Sequence, residues 1–159
     1  LYDIPVSIMI DKAFLPKKLF ELQKKYHPDL YSNADPTEQQ EALEKSSMAN
    51  KAFKVFQSTD ETIKYLLELK GLITEGEKYQ LPQDFLMEVM ELNEMKMDGA
   101  SPEEILASVQ KLQNDIYVPV KNIIEYYQDN KATKEDLLQI KDYYYKKKYL
   151  DRLLTDNTG

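Results

Sequence analysis

The chain has no cysteine and a single histidine in 159 residues. Disulfides, thiolate zinc centres and cysteine-ligated clusters are therefore excluded, and one imidazole is too few for most histidine-built metal sites. Glycine and proline are sparse, at four and seven, and the glycines are scattered, so no phosphate-cradling loop is present. Positive charge is also in the minority: 21 Lys and Arg against 28 Asp and Glu give a net charge of −7. That balance argues against nucleic acid as a partner, since phosphate neutralisation needs a basic surface. No apolar run approaches the length of a membrane span, and no signal-peptide pattern opens the chain. A cytoplasmic protein, or one of an organelle matrix, is the expectation. The chain starts at Leu1 rather than Met, which leaves room for native residues upstream.

What remains is 42% hydrophobic and 31% charged, sufficient for a real core in one ordinary domain or two small ones. With so few helix breakers the expected class is all-α. No strand-like alternation, repeat or low-complexity tract stands out. The opening "LYDIPVSIMI" is apolar with a proline and reads as a short turn or helix remnant. Asp11 is a candidate cap for a helix reaching Tyr26. Pro16 suits only a first turn, so the regular helix is expected from Pro16 itself. Phe14, Leu15, Leu19, Leu22 and Tyr26 recur at helical spacing as a buried stripe. Lys17 and Lys18 are followed seven residues later by Lys24 and Lys25, which makes one flank basic.

Residues 27–34 hold Pro, Asp, Ser and Asn without periodicity and read as a loop. Asp35-Pro36-Thr37-Glu38 then opens a helix: a capping aspartate, proline at the first position and glutamate at the third. This helix should run to about Gln57 and bury Ala42, Ala49, Ala52, Phe53 and Phe56. A break at 58–60 precedes a shorter helix carrying "TIKYLLELKGL" up to Gly71. Residues 72–82 read as a linker. Ser101-Pro102-Glu103-Glu104 and Thr133-Lys134-Glu135-Asp136 open two further helices, and with 83–97 they make three after the linker. Pro119 should kink or split the middle one. Two all-helical modules result, 1–71 and 83–159.

The lone histidine lies in "YHPDL", at the end of the basic helix. No activated nucleophile or nucleophile-elbow pattern accompanies it, and no convergent catalytic set is visible elsewhere; an enzyme is not expected. Taken by itself His27 is an exposed turn residue. Its context changes that reading. A basic amphipathic helix, then His-Pro-Asp, then a long capped helix carrying "NKAF", resembles a J-domain. The resemblance implies that His27, Pro28 and Asp29 engage a DnaK/HscA-type ATPase chaperone and stimulate its hydrolysis. Lys17, Lys18, Lys24 and Lys25 would attract an acidic surface on that partner. Pro28 fixes one backbone dihedral, so the loop has less entropy to lose on docking.

The helix over 83–97 carries its own signal. At 100° per residue, Phe85, Val89 and Leu92 fall on one side and should be core. Leu86, Met90 and Met97 fall roughly opposite, flanked by Met87, Glu91, Glu94 and Asp98. A helix apolar on two faces must bury both or expose one to a partner, and methionine suits an adaptable contact surface with an acidic flank for a basic client. Glu88, Glu91 and Glu94 do not make a di-iron site, which wants Glu-x-x-His pairs.

Instead of the Gly/Phe-rich and cysteine-rich modules of generic J-proteins, the chain continues through "YLLELKG", "FLMEVMELNEMK" and "KKKYLDRL". Over nearly its whole length it resembles HscB-type co-chaperones of iron–sulfur cluster assembly. The likeness is weaker from Pro119 to about Tyr145. Thr59 and Thr62 stand where the family often has a proline and an arginine. The resemblance implies that Leu86, Met87, Met90, Glu91, Glu94 and Asp98, with Tyr149 from the last helix, bind an IscU-type iron–sulfur scaffold protein. No cofactor is implied, and without an extended heptad seam a monomer is the expectation. The alternative is a J-domain co-chaperone whose C-terminal helices bind an unrelated client.

Overall fold

The computed structural model describes Ile8, Met9 and residues 14–156. The expected turn over the first ten residues, apart from Ile8 and Met9, and the Asp11 cap lie outside the described residues. Every regular element among them is helical: α1 Phe14–Tyr26, α2 Pro36–Phe56, α3 Thr59–Leu69, α4 Gln83–Met97, α5 Pro102–Tyr117, α6 Lys121–Glu125 and α7 Lys134–Asp156, with short 3₁₀ turns at Pro28–Tyr31 and Val118–Val120. The chain divides into two compact units. One ends at Leu66 and takes in Tyr127–Asn130; the other runs Leu67–Tyr126 and resumes at Lys131. This division falls a few residues before the expected boundary at Gly71.

In the first unit α1 and α2 form a hairpin around Leu15, Leu22 and Ala49, with Leu19, Tyr26, Ala52, Phe53 and Phe56 packed against them. Two local expectations are corrected. The helix begins at Phe14, which places Pro16 in the first turn, where its missing N–H has no intrahelical partner to lose. Phe14 does not join the buried stripe and is 39% exposed, because it points about 100° round the helix from Leu15, off the line of Leu15, Leu19, Leu22 and Tyr26. The start of α2 is as expected: Glu38 N–H donates to Asp35 Oδ1 at 2.8 Å. Thr62, at the position where the resembling family often has arginine, is buried. Its hydroxyl donates back to the carbonyls of Ser58 (2.8 Å) and Val55 (3.2 Å), tying α3 to the end of α2.

Helix α3 ends at Leu69 rather than Gly71. Gly71 takes φ +69°; its N–H donates to Glu68 O at 3.0 Å, and Leu72 N–H donates to Leu67 O at 2.9 Å. This pair of bonds is the Schellman closure that a left-handed glycine permits. Gly99 ends α4 in the same way, with Ala100 N–H on Met95 O.

The second unit is built on α4, α5 and α7 around Phe85, Val89, Leu92, Leu112, Ile116, Ile140 and Leu150. Ser101 and Glu104 form a reciprocal capping box at α5. Thr133 and Asp136 do the same at α7, Asp136 N–H to Thr133 Oγ1 at 3.0 Å and Thr133 N–H to Asp136 Oδ2 at 3.1 Å. Pro119 splits rather than kinks the middle helix: a 3₁₀ turn follows Tyr117, and α6 resumes at Lys121.

Residues 72–82 carry no regular secondary structure, yet part of this segment is fastened to α7. Tyr79 stacks on Tyr145 with ring centroids 4.5 Å apart and planes 9° apart. Its hydroxyl donates to Asp142 at 2.8 Å. Glu77 accepts from Lys141 at 2.9 Å and from the Tyr145 hydroxyl at 2.7 Å.

Candidate functional site

The His-Pro-Asp loop occupies the tip of the α1–α2 hairpin. His27 has φ −61° and ψ 132°, the extended backbone that a residue before proline prefers. Pro28 opens the 3₁₀ turn, where its missing N–H leaves nothing unsatisfied. Asp29 N–H donates to His27 Nδ1 at 3.2 Å and Leu30 N–H to His27 O at 3.0 Å. Because Nδ1 accepts, the neutral ring carries its proton on Nε2. Asp29 Oδ2 lies 3.6 Å from the same Nδ1. Both side chains are offered to solvent, 58% exposed for His27 and 91% for Asp29.

Two supports of this loop escaped sequence reading. The Tyr31 hydroxyl donates to Lys25 O at 3.1 Å. Gln39 reaches back from α2, donating to Ser32 O (3.3 Å) and Ala34 O (3.1 Å). Neither residue belongs to a local motif, so only the folded hairpin reveals them. On α1, Lys17, Lys24 and Lys25 are exposed, whereas Lys18 is half-buried. Lys18 pairs with Glu21 at 3.6 Å, and Lys25 lies 5.1 Å from the Tyr26 ring centroid. The basic flank is thus real but partly offset by Glu21.

Helix α4 separates its two apolar faces. Phe85, Val89 and Leu92 are buried; Phe85 meets the edge of Tyr149 at 6.3 Å and lies under Lys146 Nζ at 5.7 Å. On the other side Met90 is 60% and Met97 86% exposed, Met87 is exposed too, and Leu86 is half-buried. Glu91, Glu94 and Asp98 surround them in solvent. Glu94 and Asp98 stand at the C-terminal end of α4, where only Lys96 is basic. Negative charge at that end opposes the helix dipole by about 0.3–1 kcal/mol per group, so these carboxylates do not serve the helix itself. Tyr149 is half-buried and reaches α4 through Phe85, on the core-facing side.

A His-Pro-Asp loop on a helical hairpin, followed by a second helical unit, is the arrangement of a J-domain protein with an appended helical module. Comparison with known proteins agrees. The family model described as the HSCB C-terminal oligomerisation domain matches residues 81–156. The iron-sulfur cluster co-chaperone protein HscB of Mus musculus is 33% identical over 123 residues, 75% of this chain; the chain spans about half (53%) of that relative's length. A co-chaperone protein HscB homolog of Acinetobacter baumannii is 31% identical over 157 residues, covering 98% of this chain and 85% of the relative. The crystal structure of human co-chaperone protein HscB superposes with a TM-score of 0.74 at 28% identity, over 98% of this chain and 77% of that one. The chain belongs to the HscB co-chaperone family.

Proposed function

We propose that this protein is a co-chaperone of iron–sulfur cluster assembly that presents an IscU-type scaffold to a DnaK/HscA-type chaperone and stimulates the chaperone's ATPase. The observation that carries this reading is the His27–Pro28–Asp29 loop, braced by backbone bonds yet with both polar side chains in solvent. A loop held in one conformation loses little entropy on docking. Lys17, Lys24 and Lys25 speed the encounter with an acidic surface, and salt weakens that contribution. Leu86, Met87 and Met90, ringed by Glu91, Glu94 and Asp98, take the scaffold; Tyr149, packed on the core-facing side of α4, supports that helix from behind through Phe85. Holding both partners on one chain raises their effective concentration without any chemistry of its own.

The protein acts in the cytoplasm or an organelle matrix, and as a monomer. The word oligomerisation in the matching family description makes sedimentation a direct check on the latter. The division of labour is tested by two variants. His27→Gln should abolish ATPase stimulation and keep scaffold binding; Leu86→Ala with Met90→Ala should weaken scaffold capture and spare basal stimulation. Loss of both functions in each variant, with circular dichroism unchanged, would overturn it.

A further inference from the structure

The second unit contains a groove of about 500 Å³ between α4, the end of α5 and α7, within the common range for ligand sites of about 300–1,000 Å³. Its floor is apolar and buried, formed by Phe85, Leu112, Ile116, Val120 and Tyr143. At the mouth Leu138 is 45% exposed, and Pro119 is exposed beside it. Four carboxylates stand around these surfaces: Asp84 and Glu88 on α4, Asp115 on α5 and Glu135 on α7. None of the four has a cationic partner among the described residues. Lys146, the one cation lining the groove among the described residues, is committed to Asp142 at 2.8 Å, and Asp142 also accepts from Tyr79.

Like charges held around a low-dielectric floor repel one another and focus a negative potential into the groove. A cation entering it therefore gains more than it would on an open surface. A metal ion does not fit this arrangement: no group of three or more potential ligands converges among the described residues, because the carboxylates are spread over three helices. Carboxylates on three helices around an apolar floor instead suit several cations separated by apolar surface.

We propose that this groove binds a short peptide segment in which arginine or lysine side chains flank an apolar one. The apolar side chain covers Leu138 and the floor at Phe85 and Tyr143, while the cations pair with Asp84, Glu88, Asp115 and Glu135. The site lies on the Asp84/Glu88 flank of α4, apart from the Leu86/Met90 face, and does not depend on the chaperone reading.

The experiment is fluorescence anisotropy of the whole protein with a labelled, amidated hexapeptide alternating leucine and arginine. Its counterpart has each arginine replaced by citrulline, which keeps shape and removes charge. The expected result is saturable binding of the arginine peptide that weakens as salt rises, and at least tenfold weaker binding of the citrulline peptide. Glu88→Lys and Glu135→Lys should each reduce affinity about tenfold, whereas Met90→Ala should leave it unchanged. Both charge variants are exposed, so they keep the fold. Equal binding of the two peptides, no effect of the charge reversals, or loss that follows Met90→Ala would each overturn the proposal. Spermine displacing the peptide at equal concentration would assign the groove to free polyamines and overturn it as well.

Discussion

If α4 divides its labour between two faces, truncation on each face must fail in a different assay. Leu92 is 5% exposed and lies in the core of the second unit. Leu92→Ala should destabilise by about 2–5 kcal/mol, the transfer loss plus the cavity left behind. Phe85→Ala should cost about 3–5 kcal/mol, because it also strands the edge of Tyr149. Met90, at 60% exposed, has little burial to lose, and alanine is at least as good a helix former. Met90→Ala should therefore stay within about 0.5 kcal/mol of the parent. Its effect should appear on binding an IscU-type scaffold, where loss of a central contact removes about 1–2 kcal/mol, or five- to thirty-fold in Kd. Urea unfolding followed by circular dichroism gives the first quantity and titration calorimetry the second. Met90→Ala as destabilising as Leu92→Ala would show the methionine face to be packed in solution. Unchanged scaffold affinity in a folded Met90→Ala protein would refute its assignment as a binding face.

Other consequences are local. The Tyr145 hydroxyl and Lys141 hold the Glu77 carboxyl below its ordinary value of 4.5. The stability it contributes is present above that value and lost as pH falls through the depressed one, so Glu77→Gln should be less stable at neutral pH and show a flatter decline in acid. Burial and the Asp142 carboxylate push Tyr79 from 10 up to about 12. Its contribution is full below pH 10 and lost as pH rises toward 12, so Tyr79→Phe should flatten the alkaline limb of the same curve. Thr62→Val keeps the shape and removes the bonds to Ser58 and Val55, and should cost about 1 kcal/mol by urea unfolding. Lys17→Glu with Lys24→Glu should slow association with the chaperone at low salt and matter less at high salt, as stopped-flow measurement would show.

Much of the architecture was legible because it is written in local signals. The Asp35, Ser101 and Thr133 caps need only residues three or four apart, and Pro119 interrupts its helix whatever surrounds it. The two faces of α4 follow from periodicity, and His27–Pro28–Asp29 stands out through its neighbours. What could not be read depends on distant partners. Glu77 and Tyr79 are fixed by residues on α7 more than sixty positions later, so 72–82 looks like a free tether in sequence. Phe14 is as apolar as its neighbours, yet it points about 100° round α1 from Leu15 and stays partly exposed. Asp84, Glu88, Asp115 and Glu135 share no motif and become a group only when three helices meet. Gln39 braces the loop from a position of α2 that belongs to no motif.

In the proposed function the exposed loop acts on a chaperone while the methionine face holds a client. The most direct test is single-turnover ATP hydrolysis by a DnaK-type chaperone, with this protein and an IscU-type scaffold added separately and together. Stimulation by the protein alone, a larger effect with both, and loss of both in His27→Gln is the predicted result. A rate that this protein does not raise, or that His27→Gln raises equally, would contradict it.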